Sequence, residues 1–272
     1  MKLADADINY LCNLVAEHSG NVITPRQSYL IEQRLTPLAE SLGLADLPSL
    51  VSKLRHSPNQ LLTASVAEAV TVNETSFYRD AHPFEILQQK ILPELLREKG
   101  PTQPIRIWCA ASSSGQEPYS IAMLIRERFP EARNVRIVAT DICEKMLNKM
   151  RSGEYSRLEV NRGLPTRRLL NFFDRDGAIW RAKPDLRSMI ECRRLNLTHP
   201  WPNLGQFDIV FIRNVLIYFS QTTKADILRR ASHLLTPQGY LFVGSSEMIV
   251  GLDVPLRREE IDATVCYRPI TG

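Results

Sequence analysis

IRIWCAASSSGQEPYSIAMLIRERF, residues 105–129, holds the parts of a strand–loop–helix unit in one stretch. The β-prone run IRIWCA (105–110) stops at small residues, Ala111 to Gly115, and apolar residues at helical spacing follow from about Pro118 to Phe129. Outward from this unit the alternation continues. VRIVAT (135–140), a helix from about Cys143, FDIVFIR (207–213), a helix from about Thr223 to Leu235 and YLFVGS (240–245) follow in turn. Continuous apolar strands alternating with helices predict an α/β fold, a parallel sheet covered on both faces. A final β-prone run, ATVCYR (263–268), is expected to add an edge strand. Between the second and third helices, GAIWRA (177–182) and SMIECRRL (188–195) read as two strands separated by the turn-like Lys183, Pro184 and Asp185. They predict an antiparallel elaboration over about 175–195.

Upstream the pattern is helical throughout. Asp5 or Asp7 is placed to cap a helix carrying Ile8, Leu11, Cys12 and Val15, which Gly20 closes. A capping box follows, with Thr24 as N-cap, Pro25 at the first helical position and Gln27 at the third. The helix it opens sets Ile31, Leu35, Leu38 and Leu42 on one stripe, and two shorter helices are expected around Leu47 to Arg55 and Pro58 to Val70. A helical run from Phe84 to Arg97 then leads into the alternating region. The expected divisions are a small all-helical N-terminal domain, 1–80, a linker helix, 81–104, and an α/β domain, 105–272.

The totals narrow the class. At 272 residues, 44% hydrophobic and 24% charged, the chain has the composition of an ordinary soluble globular protein with a sizeable core. No apolar run reaches the ~18 to 20 residues needed to span a bilayer, and the first residues, MKLADADINY, lack the apolar stretch of a signal peptide. A cytoplasmic protein, not embedded in membrane, is expected. Cys12, Cys109, Cys143, Cys192 and Cys266 form no C-x-x-C pair and have no histidine at metal-ligand spacing, so they read as reduced, mostly buried thiols with no metal. The net charge of +4 is uneven: residues 1–80 carry six Lys/Arg against nine Asp/Glu, whereas residues 151–194 carry eleven against six.

In an open parallel sheet, ligands bind beyond the carboxyl ends of the strands. The loop Ala111 to Gly115 is small enough for close backbone approach, and Asp141, at the end of the second strand, is placed to accept hydrogen bonds from the two ribose hydroxyls of an adenosine cofactor. The loop has one glycine where a dinucleotide fingerprint has three, and no G-x-x-x-x-G-K-[ST] occurs. A pyrophosphate needs a nest of backbone amides, so S-adenosylmethionine, which has no phosphate, is the adenosine cofactor that fits.

VNETSFYRD (72–80), CAASSSGQEPYSIA (109–122), ATDI (139–142), GEYSR (153–157), RLNLT (194–198) and FDIVFIRNVLIYF (207–219) together resemble the ordered motifs of the chemotaxis-receptor glutamate methyltransferases. The resemblance covers nearly the whole chain. It implies a small helical N-terminal domain that recognises substrate, then a class I (Rossmann-like) S-adenosylmethionine-dependent methyltransferase domain bearing a small antiparallel β subdomain. The implied reaction esterifies glutamate side chains on the cytoplasmic helical domain of membrane chemoreceptors in chemotaxis adaptation. S-adenosylhomocysteine is the implied product and no metal takes part.

The resemblance also assigns residues. Asn73, Thr75 and Arg79 reach the cofactor, with Arg79 at its reacting end, while Glu117 and Asp141 hold it, Asp141 through the ribose. Asn196 and Leu197 lie at the adenine, and Ile212, Arg213 and Asn214 complete the pocket. Tyr218 faces the incoming glutamate, so Arg79 and Tyr218 are the catalytic candidates. The residue types suit the chemistry, because a sulfonium methyl is already activated and a carboxylate ionised at pH 7 needs neither general base nor metal. What the protein must supply is chiefly geometry. The oxygen must lie about 3 to 3.5 Å from the methyl carbon, and an arginine fork with a tyrosine hydroxyl can hold it there. The bland alternatives are a surface ion pair of Arg79 with Asp80 or Glu74, and a core position for Tyr218 beside Phe219.

Arg26, Arg34, Lys53 and Arg55 are available on the helical unit to meet an acidic receptor helix. The antiparallel elaboration is short beside Asp176 and Gly177, so action without a receptor-tail tether is expected, by a monomer. Three rivals remain. A nucleic-acid methyltransferase would use the basic segment 151–194, but the chain has no N-P-P-Y motif. A nicotinamide-dependent oxidoreductase lacks its glycines. A non-catalytic S-adenosylmethionine-binding adaptor would not need Arg79, Asp141 and Tyr218 together.

Overall fold

The computed structural model describes residues 3–24, 27–57, 59–262 and 264–270. Pro25, Arg26, Pro58 and Ala263, used above in a capping box, a basic face, a helix start and the last strand, lie outside the described residues. The chain packs as two compact units, Met1–Val72 with Ile217–Lys224, and Asn73–Leu216 with Ala225–Gly272.

The smaller unit contains α1 (Asp5–Ser19), α2 (Ser28–Ser41), α3 (Leu47–His56) and α4 (Gln60–Val70). In α1 the expected stripe of Ile8, Leu11, Cys12 and Val15 is buried, but the N-cap is Ala4, and Asp5 and Asp7 sit in the first turn without a side-chain cap bond. Before α2 the Gln27 carboxamide accepts from the Thr24 N–H at 3.1 Å. Asp46 caps α3 by accepting from the Ser49 N–H at 3.0 Å and the Ser49 hydroxyl at 2.6 Å. Leu11, Val15, Ile31, Leu35, Leu50 and Val66 form the centre of this unit's core.

The larger unit opens with helical segments α5 (His82–Ile86), a π-helical turn (Leu87–Ile91) and α6 (Leu92–Lys99). Pro93 explains the π turn: it has no N–H for the carbonyl four residues back, and its ring crowds that carbonyl. The main sheet follows. Its strands are β1 (Ile105–Ala110), β2 (Val135–Asp141), β6 (Ile190–Arg194), β7 (Phe207–Ile212), β8 (Leu235–Val243), β9 (Leu256–Ile261) and β10 (Thr264–Pro269), in the order β6-β2-β1-β7-β8-β10-β9. Pairing is parallel from β6 to β8 and antiparallel at β8–β10 and β10–β9. The connecting helices are α7 (Gln116–Arg128), α8 (Glu144–Ser152) and α12 (Gln221–Leu234).

Two expectations are corrected. SMIECRRL does not join the antiparallel elaboration: it supplies β6, which pairs in parallel with β2, Ile190 beside Ile137. Pro184, at the first position of the short α11 (Pro184–Arg187), starts a helix instead of closing a hairpin, and the chain returns to the main sheet. The second correction concerns the last strand, β10, which lies between β8 and β9 and is not an edge. The true edge, LRREEI, was missed because its charged residues hide a strand pattern while protecting the edge from further pairing.

The small sheet is made instead by β3 (Glu154–Ser156), β4 (Phe173–Asp176) and β5 (Ile179–Ala182), antiparallel in the order β3-β5-β4. Two helices unread in the sequence, α9 (Arg157–Asn161) and α10 (Thr166–Phe172), connect β3 to β4. Phe77 is 1% exposed and meets the rings of Tyr155 and Phe173 edge-on at 5.1 and 5.8 Å. That aromatic cluster seats the segment before α5 in the core of the larger unit.

Candidate functional site

From β1 the chain builds outward through β2 and β6 on one side and then β7 and β8 on the other, so the order reverses at the β1–β7 boundary. A crevice beyond the carboxyl ends of those strands is where such sheets bind ligands. The backbone is most strained there. Of the six described non-glycine residues with positive φ, five are Tyr78, Asp80, Ala111, Ser113 and Asn214, which lie before α5 or directly after β1 and β7.

The loop after β1 is held from several directions. The Ser112 hydroxyl donates to the Cys109 carbonyl at 2.6 Å, the Tyr155 hydroxyl to the Ser114 carbonyl at 2.7 Å, and the Ser113 hydroxyl to the Asn73 carbonyl at 2.9 Å. Gly115, at φ 94°, caps α7 where a Cβ would lie 2.5 Å from Met150 Cγ. Asp141 is 5% exposed, and its carboxylate accepts from the Ser113 N–H at 2.7 Å and the Cys143 N–H at 2.9 Å. A carboxylate bonded to the loop's own amide takes the place a phosphate would need and repels a second anion. The donor set therefore fits an adenosine cofactor without phosphate, and a sulfonium cation in particular.

Residues 73–80 form the near wall. The Tyr78 N–H donates to Ser120 Oγ at 3.0 Å, and the Phe77 carbonyl lies so close to Gly163 that a Cβ there would sit 2.1 Å from the oxygen. Arg213, directly after β7, has a side chain 2% exposed. Its Nη1 donates to Glu117 Oε2 at 2.8 Å, and its Nη2 to the Arg79 carbonyl at 2.7 Å and Asp80 Oδ2 at 2.9 Å. Burial pushes the Glu117 carboxyl above the usual carboxylate range, with the Arg213 guanidinium opposing the rise. Burial likewise holds the Cys109 thiol well above its ordinary value, with Glu117 adding to the effect.

The two carboxylates offered above as partners for Arg79 are taken by other arginines. Glu74 pairs with Arg162, which lowers the Glu74 carboxyl below its ordinary value, and Asp80 pairs with Arg213. The Arg79 guanidinium donates to the Glu74 carbonyl at 3.2 Å; among the described residues it makes no ion pair within 4 Å, though its charge is felt by the Glu74 and Glu117 carboxyls.

The remaining candidates divide by element. Ile212, buried at the end of β7, pairs with Ala110, and Asn214 follows it at φ 59°. Thr75 is half-buried between Asn73 and Arg79. Beyond β6, Asn196 Oδ1 accepts from the Thr198 N–H at 3.0 Å and hydroxyl at 2.8 Å, and the carbonyl of buried Leu197 accepts from Arg230 at 2.6 Å. Tyr218 ends a 3-10 turn, Leu216–Tyr218, and belongs to the smaller unit, where its carbonyl accepts from the Val22 N–H at 2.9 Å.

Sequence reasoning missed Glu247. Its side chain, 6% exposed after β8, accepts from the Asn214 N–H and the Gly244 N–H, both at 2.7 Å. The available signal was an acid two residues after the strand run YLFVGS.

The fold and this site define a class, a Rossmann-like domain that binds S-adenosylmethionine. Residues 73–265 match the family described as CheR methyltransferase, SAM binding domain. Chemotaxis protein methyltransferase 1 of Pseudomonas aeruginosa is 42% identical over 98% of this chain and 99% of its own length. Chemotaxis protein methyltransferase Cher2 of Pseudomonas putida is 42% identical over 93% and 94%, and the chemotaxis protein methyltransferase of Salmonella typhimurium 35% over 91% and 85%. This chain belongs to the CheR family of chemotaxis methyltransferases, and its activity is S-adenosylmethionine-dependent methylation in chemotaxis. Among the described residues no helix is long and apolar enough to cross a membrane.

Proposed function

We propose that the chain methylates glutamate side-chain carboxylates on the cytoplasmic helices of membrane chemoreceptors, acting in the cytoplasm as a monomer. The observation that carries this reading is Arg79, a guanidinium that makes no ion pair among the described residues, next to an acid that is itself occupied by Arg213. A planar fork of donors is the natural receiver for a substrate carboxylate. When bound, S-adenosylmethionine supplies a sulfonium methyl: the carboxylate lone pair forms the O–CH₃ bond as the S–CH₃ bond breaks, with its electron pair left on sulfur and no proton moved.

The chain's own residues bind and orient. Asp141 takes the ribose hydroxyls, Asn73, Thr75 and Glu117 hold the cofactor, Asn196 and Leu197 line the adenine, and the backbone at Ile212 and Asn214 closes the pocket. Arg79 must hold the glutamate loosely enough not to quench it, because the carboxylate charge it faces is neutralised as the ester forms. Tyr218 has the role the family resemblance gives it, facing the glutamate, and residues 1–80 recognise the receptor helix. The turn between β4 and β5 is only Gly177 and Ala178, which supports action without a receptor-tail tether. Micromolar binding of a receptor C-terminal peptide would overturn that part.

The test uses purified protein, methyl-labelled S-adenosylmethionine and membranes containing chemoreceptors. Label on the receptor that mild base releases as methanol, and that is lost in Arg79→Ala, supports the reading. Tight S-adenosylhomocysteine binding with no such label would leave the cofactor reading standing and remove the glutamate one.

A further inference from the structure

We infer that Arg213 is a positioning residue: its side chain fixes the backbone on which Arg79 stands and does not touch the cofactor. The inference rests on the reading of Arg79 as the carboxylate receiver. It goes further by giving the Arg213 side chain a role of its own, where the family resemblance has the stretch Ile212, Arg213 and Asn214 completing the cofactor pocket.

The geometry is that of a three-way clamp. Arg213 joins the end of β7 to the first turn of α7 through Glu117, and to the 73–80 segment through the Arg79 carbonyl and Asp80. Both terminal nitrogens are engaged, the side chain is almost wholly buried, and the Phe84 ring lies 5.7 Å from the guanidinium carbon. Arg79 itself is flanked by two residues in the left-handed region, Tyr78 at φ 50° and Asp80 at φ 56°. Such conformations persist only where their surroundings impose them. On one side the Tyr78 N–H is held by Ser120; on the other, Arg213 grips both the Arg79 carbonyl and the Asp80 carboxylate, which the Ser245 hydroxyl also approaches at 3.5 Å. A lysine ammonium at 213 would not span the three acceptors as a planar fork does.

Two variants test this, Arg213→Lys and Asp80→Asn; the second loosens the clamp while leaving buried Glu117 paired. In both, kcat/KM for the receptor is expected to fall, by roughly 10- to 100-fold in the lysine variant and less in the asparagine one. In Asp80→Asn the calorimetric affinity for S-adenosylhomocysteine should stay within about threefold, and that variant should cost little further in an Arg79→Ala background, since residues acting as a unit are not additive. An NMR readout needs no receptor: the Arg79 Nε–H signal, assigned by its loss in Arg79→Ala, should shift in Asp80→Asn. Cofactor affinity falling in step with activity in Asp80→Asn, where Glu117 keeps its partner, would tie the clamp to the cofactor and overturn the inference, as would an unmoved Arg79 signal. A wild-type protein that labels no receptor would sink the carboxylate reading alone, with the Arg79 signal still reporting on the clamp.

Discussion

Gly163 lies outside every motif, yet the position of the 73–80 segment depends on it. Its φ is 88° and a Cβ would fall 2.1 Å from the Phe77 carbonyl oxygen, backbone that has no rotamer with which to yield. Gly163→Ala should destabilise the larger unit by roughly 2 kcal/mol or more, through backbone strain and displacement together. Denaturant unfolding checks the first part, and weaker S-adenosylhomocysteine binding the second. Glu247 is the second residue of this kind. Glu247→Ala would strand the buried N–H groups of Asn214 and Gly244, at about 1–3 kcal/mol each. A Glu247→Gln variant, which keeps an acceptor oxygen, should recover most of that loss in the same unfolding experiment. Neither residue stood out in the sequence, because each acts on a backbone group far along the chain. Arg79, Asp141 and Asn214, by contrast, stood out as candidates from their motifs.

Among the elements, α3 shows what a local signal determines. Asp46 sits at its N-cap, and bonds from the Ser49 side chain and N–H hold the Asp46 carboxyl below its ordinary value. A lowered folded-state value means the stabilisation is present above the unfolded value, about 3.9, and is lost as pH falls through the folded one. Asp46→Ala should therefore lower the melting temperature of the helical unit at pH 7, and the gap from wild type should close in strong acid. Thermal scans at pH 7 and pH 2.5 decide it. The main-sheet strands β1, β2, β7 and β8 and their helices were equally readable, since a strand buried on both faces must be apolar along its length. β6, β9 and β10 were not placed correctly: SMIECRRL has one composition whether it pairs in a hairpin or joins a parallel edge, and LRREEI reads as a charged loop until it is seen as an edge.

Across the whole molecule, five of the eleven basic residues of the stretch 151–194 stand in ion pairs. Arg151, Arg162, Arg168, Arg181 and Arg193 pair with Glu144, Glu74, Glu127, Glu154 and Glu191. Most of these pairs are partly exposed and contribute about 0–1 kcal/mol each, so their consequence is a damped surface field. Nucleic acid should bind weakly and lose affinity without a steep salt slope, which a titration from 50 to 200 mM salt measures. The five cysteines are free thiols, Cys192 half-buried and the others buried. Burial pushes the Cys192 thiol up to about 11 and the Cys266 thiol up to about 12. Native protein should accordingly resist alkylation at pH 8 and react fully once unfolded, as mass spectrometry would show.

The sequence by itself determined the alternation of strands and helices, the helical start, the phosphate-free loop with its acid on the next strand, and membership of a methyltransferase family. These are local in the chain: periodicity, caps and short motifs each act over a few residues. Only the tertiary structure decided that SMIECRRL joins the main sheet, that a charged run forms its edge, that Glu74 and Asp80 are spoken for by Arg162 and Arg213, and that Glu247 braces Asn214. Each of those is a pairing between groups distant in sequence. A hydrogen bond or a strand register is chosen among many chemically equivalent partners, and the choice is made only when the core closes and brings one of them within reach.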